Sequence, residues 1–198
     1  MVNNATRGQG LLENFLAKKR ANLANKLIPD NLRAGRILDL GCGSYPYFLT
    51  QTRFQEKYGL DYSLKEENEG NGLILRNFDL AGGQPLPFPD NFFSVVTMLA
   101  VFEHLADQPL NFILKEIKRV LKSGGRYILT TPHPRSDKIL KMLVSLKLVS
   151  AVEIEEHQRL YGHEEIAAIL KAAGFLEEKM RFGYFECFLN NWAYADKD

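Results

Sequence analysis

The sequence predicts a single α/β domain of three layers, a mostly parallel sheet with helices on both faces. Three observations carry this. Ile37, Leu38 and Leu40 form the apolar run of a strand buried on both sides, which is the signature of a parallel sheet covered by helices. That run passes directly into Gly41-Cys42-Gly43 and then into a helical start, so strand, glycine turn and helix follow one another. The length of 198 residues suits one domain with a self-sufficient core, spanning 1–198.

The elements follow in order. Residues 11–28 place Leu11, Leu12, Phe15, Leu16, Leu23, Leu27 and Ile28 at helical spacing around Lys18, Lys19 and Arg20, and Pro29 ends the helix. Residues 1–30 therefore read as an N-terminal helical segment, packed on the sheet or closing as a lid. Residues 56–60 make a second strand ending in Asp61 and Tyr62, and residues 73–75 a third. Asn77, Phe78, Asp79 and Leu80 follow, before the turn-rich AGGQPLPFPDN. Residues 92–99 form a fourth apolar strand, with AVFEHL at its carboxyl end, where open α/β sheets bind ligands. Leu110, Ile113, Leu114, Ile117, Val120 and Leu121 mark a helix over 110–121, stopped by Ser123-Gly124-Gly125. Residues 126–131 are the fifth strand, closed by Thr131-Pro132-His133-Pro134. Residues 136–163 read as an insertion beginning with the apolar helix DKILKMLVSLKLV, and Gly174 stops a further helix. Two strand-like runs around Gly183 then form an antiparallel hairpin that completes seven strands.

Composition narrows the function. Lys plus Arg number 25 against 24 Asp plus Glu, and the net charge of +1 offers a polyanion no global attraction, which argues against nucleic acid as partner. Two cysteines, Cys42 and Cys187, suggest neither a disulfide framework nor a metal-ligand spacing, so no metal is expected. MVNNATRGQG lacks the apolar run of a signal peptide, and nothing approaches a membrane span of roughly 18 apolar residues. A cytoplasmic protein is expected, with peripheral membrane contact through 136–163 as an alternative to a cover over the substrate.

The glycine loop decides between ligands. A dinucleotide fingerprint needs a third glycine where Pro46 stands, and a phosphate-binding loop needs a lysine that is absent between Arg36 and Lys57. In LDLGCG, with its apolar strand, Asp39 and Gly41-x-Gly43, the chain resembles the class I S-adenosylmethionine-dependent methyltransferases, which have a Rossmann-like fold. Tyr45 takes the place of that family's usual third glycine. RVLKSGGRYILTTP resembles the family's fifth-strand unit, and EIEEHQRLYGHEEIAAILKAAGF the late segment of many small-molecule methyltransferases.

The resemblance implies S-adenosylmethionine as cofactor and S-adenosylhomocysteine as product. Asp39, Gly41, Cys42 and Gly43 would form the cofactor loop, and Asp61 would accept both ribose hydroxyls with Tyr62 beside it. Asp79 and the backbone of Leu80 would read adenine. Leu99 and Ala100 would lie near the transferable methyl, while His157, Arg159 and Tyr161 would face the acceptor. A hydroxyl or acidic-carbon acceptor needs a base, for which His104, His133 and His157 are the candidates. Absence of Pro-Cys and Asn-Pro-Pro-Tyr/Phe disfavours cysteine-based cytosine chemistry and many amino-group methylases. A small-molecule acceptor (sugar, lipid or quinone-like) is expected; the alternatives are a methyltransferase acting on RNA or protein and a noncatalytic binding protein of this fold.

Overall fold

A computed structural model describes residues 13–65, 68–70, 72–136, 159–186 and 188–198. Helix α1 (Glu13–Leu27) leads to β1 (Arg36–Leu40), the short α2 (Tyr47–Gln51), β2 (Glu56–Asp61), β3 (Asn68–Gly70) and β4 (Leu73–Asn77). Next come β5 (Phe93–Leu99), α3 (Asp107–Val120), β6 (Leu121–Pro132), α4 (His163–Ala172), β7 (Met180–Phe185) and β8 (Asn190–Asp196). One sheet runs β3-β4-β2-β1-β5-β6-β8-β7. The strands β4, β2, β1, β5 and β6 are parallel, whereas β8 pairs antiparallel with both β6 and β7.

The strand pattern follows from burial on both faces. Alternate residues of β1, β5 and β6 enter opposite cores: Leu38, Val96, Tyr127 and Leu129 pack with α3 and α4, while Ile37, Val95 and Ile128 pack with Ala21 and Ala24 of α1 and Leu49 of α2. These two apolar layers enclose the sheet and make the expected three-layer sandwich. Chain order reverses beside β1, whose neighbours β2 and β5 lead to opposite edges, and the ligand crevice of such sheets lies at that switch point.

Three expectations are corrected. The sheet has eight strands, because Asn68–Gly70 of the polar stretch pairs its backbone antiparallel with β4. Such pairing needs no apolar alternation, so hydrophobic patterning does not reveal it. The helix expected to reach Leu121 ends at Val120, and β6 starts at Leu121 rather than Arg126. Its partner register jumps between Phe93 and Val95, so the Gly124-Gly125 turn is carried as an irregularity inside the strand. After the glycine loop the helix is only five residues long.

The turn-rich stretch after Leu80 is anchored by α3. Leu86 N donates to Glu116 Oε2 at 2.8 Å, and Arg119 donates to the carbonyls of Phe88 and Leu86 and to Asp90. The cations and carboxylates thus fix a loop with little regular hydrogen bonding of its own.

Candidate active site

The glycine loop continues the pairing of β1 with β2. Gly41 N and Cys42 N both donate to Leu60 O, at 2.8 and 3.3 Å, which lays the loop along the carboxyl end of β2. Gly41 and Gly43 have φ of +75° and +74°, a region that costs other residues about 1–2 kcal/mol. Gly41 is also sterically required, since a Cβ there would approach Val101 Cγ2 to 2.3 Å. Around Gly43 the nearest atom to such a Cβ is Tyr45 O at 3.9 Å, so this glycine borders open space that a ligand can approach.

Asp61 braces this loop. Its Oδ2 accepts from Gly43 N at 2.8 Å, and its Oδ1 accepts from Ser63 N and Ser63 Oγ at 2.8 and 2.6 Å. Ser63 and Thr97 are positions the sequence reading did not single out. Thr97 interrupts the apolar run FSVVTML, and it sits opposite Asp39 in the β1–β5 register. Its hydroxyl donates to Asp39 Oδ1 at 2.7 Å. Burial, opposed by that bond and reinforced by the Asp61 charge, pushes the Asp39 carboxyl up to about 7.

The remaining expected cofactor residues lie at the carboxyl ends of β1, β2, β4 and β5. Cys42 is buried and would meet a Cβ on Gly59 at 2.8 Å, so its side chain packs over β2. Tyr62 is exposed, and its carbonyl accepts from Asn77 Nδ2 at 2.8 Å. Asp79 is exposed and accepts from Ala81 N at 2.9 Å, capping its own turn, while the Leu80 side chain enters the core. At the carboxyl end of β5, Leu99 packs against the α1-side core, and Ala100 has φ +56°, an uncommon conformation for a residue with a Cβ. Two bonds hold it there: Ala100 N donates to Thr130 O at 2.9 Å and to Thr130 Oγ1 at 3.1 Å.

The candidate bases separate. His104 lies in a 3₁₀ turn, Phe102–His104, whose Glu103 is buried, and stands two residues before Ala106, the N-cap of α3. His133 accepts from Arg135 N at Nδ1, 3.0 Å, and burial, Arg135 and His163 lower its pKa, favouring neutral imidazole. Its ring meets Tyr184 edge-on at 5.4 Å, on the side of the sheet where β7 and β8 turn. His157 lies outside the described residues, as do most of 136–163. Arg159 is exposed and bonded to Glu165, whereas Tyr161 is fully buried against Phe102. Among the described residues no cluster of three or more His, Cys, Asp or Glu is able to hold a metal ion.

A parallel sheet with a β7–β8 antiparallel end, a glycine loop leaving β1 and an acidic brace at the end of β2 define a Rossmann-like S-adenosylmethionine-dependent methyltransferase of class I. The chain belongs to the methyltransferase-domain family, which it matches over residues 11–176. It is 28% identical over 178 residues to the demethylmenaquinone methyltransferase of Geobacillus kaustophilus, covering 76% of this chain and 75% of the relative. To the 27-O-demethylrifamycin SV methyltransferase of Amycolatopsis mediterranei it is 28% identical over 144 residues, covering 64% and 52% respectively. The chain spans about half the length of several curated relatives it matches. In fold it is similar to the putative methyltransferase of Haloferax volcanii solved in complex with the Trm112 activator, with TM-score 0.68, 18% identity and coverage of 89% and 87%.

Proposed function

We propose that this chain binds S-adenosylmethionine where β1, β2 and β5 end and transfers its methyl group to a small-molecule acceptor. The observation that carries the reading is the glycine loop held by Asp61, with open space beside Gly43. The cofactor supplies an electrophilic methyl on a sulfonium. The chain's share is to hold the acceptor in line and keep water out, which is how positioning lowers such barriers. Asp61 braces the loop and offers a carboxylate for ribose hydroxyls. The strained Ala100 backbone sets the turn that carries Val101 against Gly41.

A small acceptor is favoured by the near-balanced charge and by relatives whose names specify a rifamycin and a quinone. The test is incubation of the protein with methyl-labelled cofactor and, separately, metabolite extract, RNA and protein. Label is expected in the metabolite fraction. Label confined to RNA or protein refutes the small acceptor, and binding without any transfer supports a noncatalytic role.

A further inference from the structure

Among the described residues five buried side-chain oxygens have no hydrogen-bond partner; one is Glu186 Oε1, just past β7, and the other four, Glu103 Oε2, Thr131 Oγ1, Tyr161 OH and Asn191 Oδ1, come from the turn after β5, from the β6–β8 pair and from the chain entering α4. These last four residues are at most 1% exposed. Different segments bring them together. Thr131 and Asn191 stand opposite each other across β6 and β8, so their side chains share a face. That face is the one whose earlier pairs, Leu129 with Ala193 and Tyr127 with Ala195, belong to the α3-side core, so an apolar row turns polar as it reaches the sheet end. Asn191 Nδ2 donates to Tyr161 O at 2.7 Å, which commits the amide nitrogen and leaves its oxygen open. The Tyr161 ring stands edge-on to Phe102 at 5.0 Å, beside Glu103. The Thr131 hydroxyl is near enough to the Glu103 carboxyl to oppose the upward pull of burial on it.

Buried groups of this kind are normally satisfied, and leaving several open costs stability. Their position explains why they are kept. Glu103 follows Val101, whose side chain lies against Gly41 of the glycine loop, so the group begins beside the cofactor site.

We propose that Glu103, Thr131, Tyr161 and Asn191 form the subsite that anchors the acceptor, and that the anchored group is a neutral hydroxyl, an alcohol or a phenol. The proposal rests on the methyl-transfer reading above. The open functions select this chemistry. Asn191 Oδ1 only accepts, so a quinone or ketone oxygen, which cannot donate, leaves it unsatisfied. Thr131 and Tyr161 hydroxyls both donate and accept, matching a hydroxyl that does the same. Burial pushes the Glu103 carboxyl up, which weakens it as a partner for a cationic acceptor.

Two measurements test this on the whole chain. In thermal unfolding of the free protein, Thr131→Val and Tyr161→Phe remove unsatisfied groups while keeping shape, and each is expected to raise Tm by about 2–4 °C. A fall in Tm would show a structural polar network and overturn the proposal. In ligand-observed NMR titration of protein saturated with S-adenosylhomocysteine, phenol is expected to bind roughly tenfold tighter than anisole or benzylamine, and Asn191→Leu to remove that preference. Absence of a phenol preference overturns the subsite. Failure of S-adenosylhomocysteine to bind instead strikes the functional reading beneath it.

Discussion

The Asp39 carboxyl sets a testable pH signature. It is raised from the usual 3.8 to about 7, first by burial and then by the Asp61 charge, with the Thr97 bond opposing. Between those values the unfolded chain has released the proton that the native chain keeps, so stability falls as pH rises from about 4 to 7 and is lower by a constant amount above. The difference is on the order of 4 kcal/mol for a fully realised shift. Asp39→Asn keeps an oxygen to accept from Thr97 and has no charge to bury. Urea unfolding is therefore expected to show a flatter stability decline from pH 5 to pH 8 in the variant than in the parent; equal slopes would mean that Asp39 is not held protonated. Asp39 was legible in the sequence because it stands between an apolar strand and a glycine turn. Thr97 was not, because its meaning comes from a register with a strand 58 residues away.

Within the loop and its elements, the two glycines serve different ends. Gly41→Ala adds a clash with Val101 to the cost of positive φ, and a loss of about 2–4 kcal/mol is expected. Gly43→Ala bears only the conformational cost, about 1–2 kcal/mol, yet its methyl points into the open space beside the loop, so S-adenosylhomocysteine affinity is expected to drop more than stability does. Melting curves paired with titrations check both, and an undisturbed affinity for Gly43→Ala would mean that no ligand comes close to it. The strand–loop–helix order was legible because a handful of adjacent residues encode it. The Thr131–Asn191 pairing was invisible, because β8 inserts beside β6 only after the intervening chain has returned, and no local spacing announces that partner. Likewise β3 was missed, since three polar residues on a sheet edge carry no periodicity.

Across the molecule, Arg126 ties the layers together. It bonds Asp196 of β8 through Nε and Nη2 at 2.6 and 2.8 Å, donates to Leu27 O at the end of α1 at 2.8 Å, and lies over the Tyr194 ring at 3.7 Å. Arg126→Ala leaves a partly buried Asp196 without its counter-ion, and a loss of about 2 kcal/mol is expected in denaturant unfolding, with an unchanged midpoint contradicting that role. Among the described residues no helix is long and apolar enough to cross a membrane. The sheet order, the two cores and the glycine loop at the switch point all lead to the carboxyl ends of β1 and β2, and the central proposal is that a nucleoside-bearing sulfonium binds there. Calorimetric titration of the purified chain with S-adenosylmethionine, S-adenosylhomocysteine and NAD tests it most directly. The account predicts saturable binding of the first two and none of NAD; NAD binding, or no binding of either sulfur compound, would contradict it.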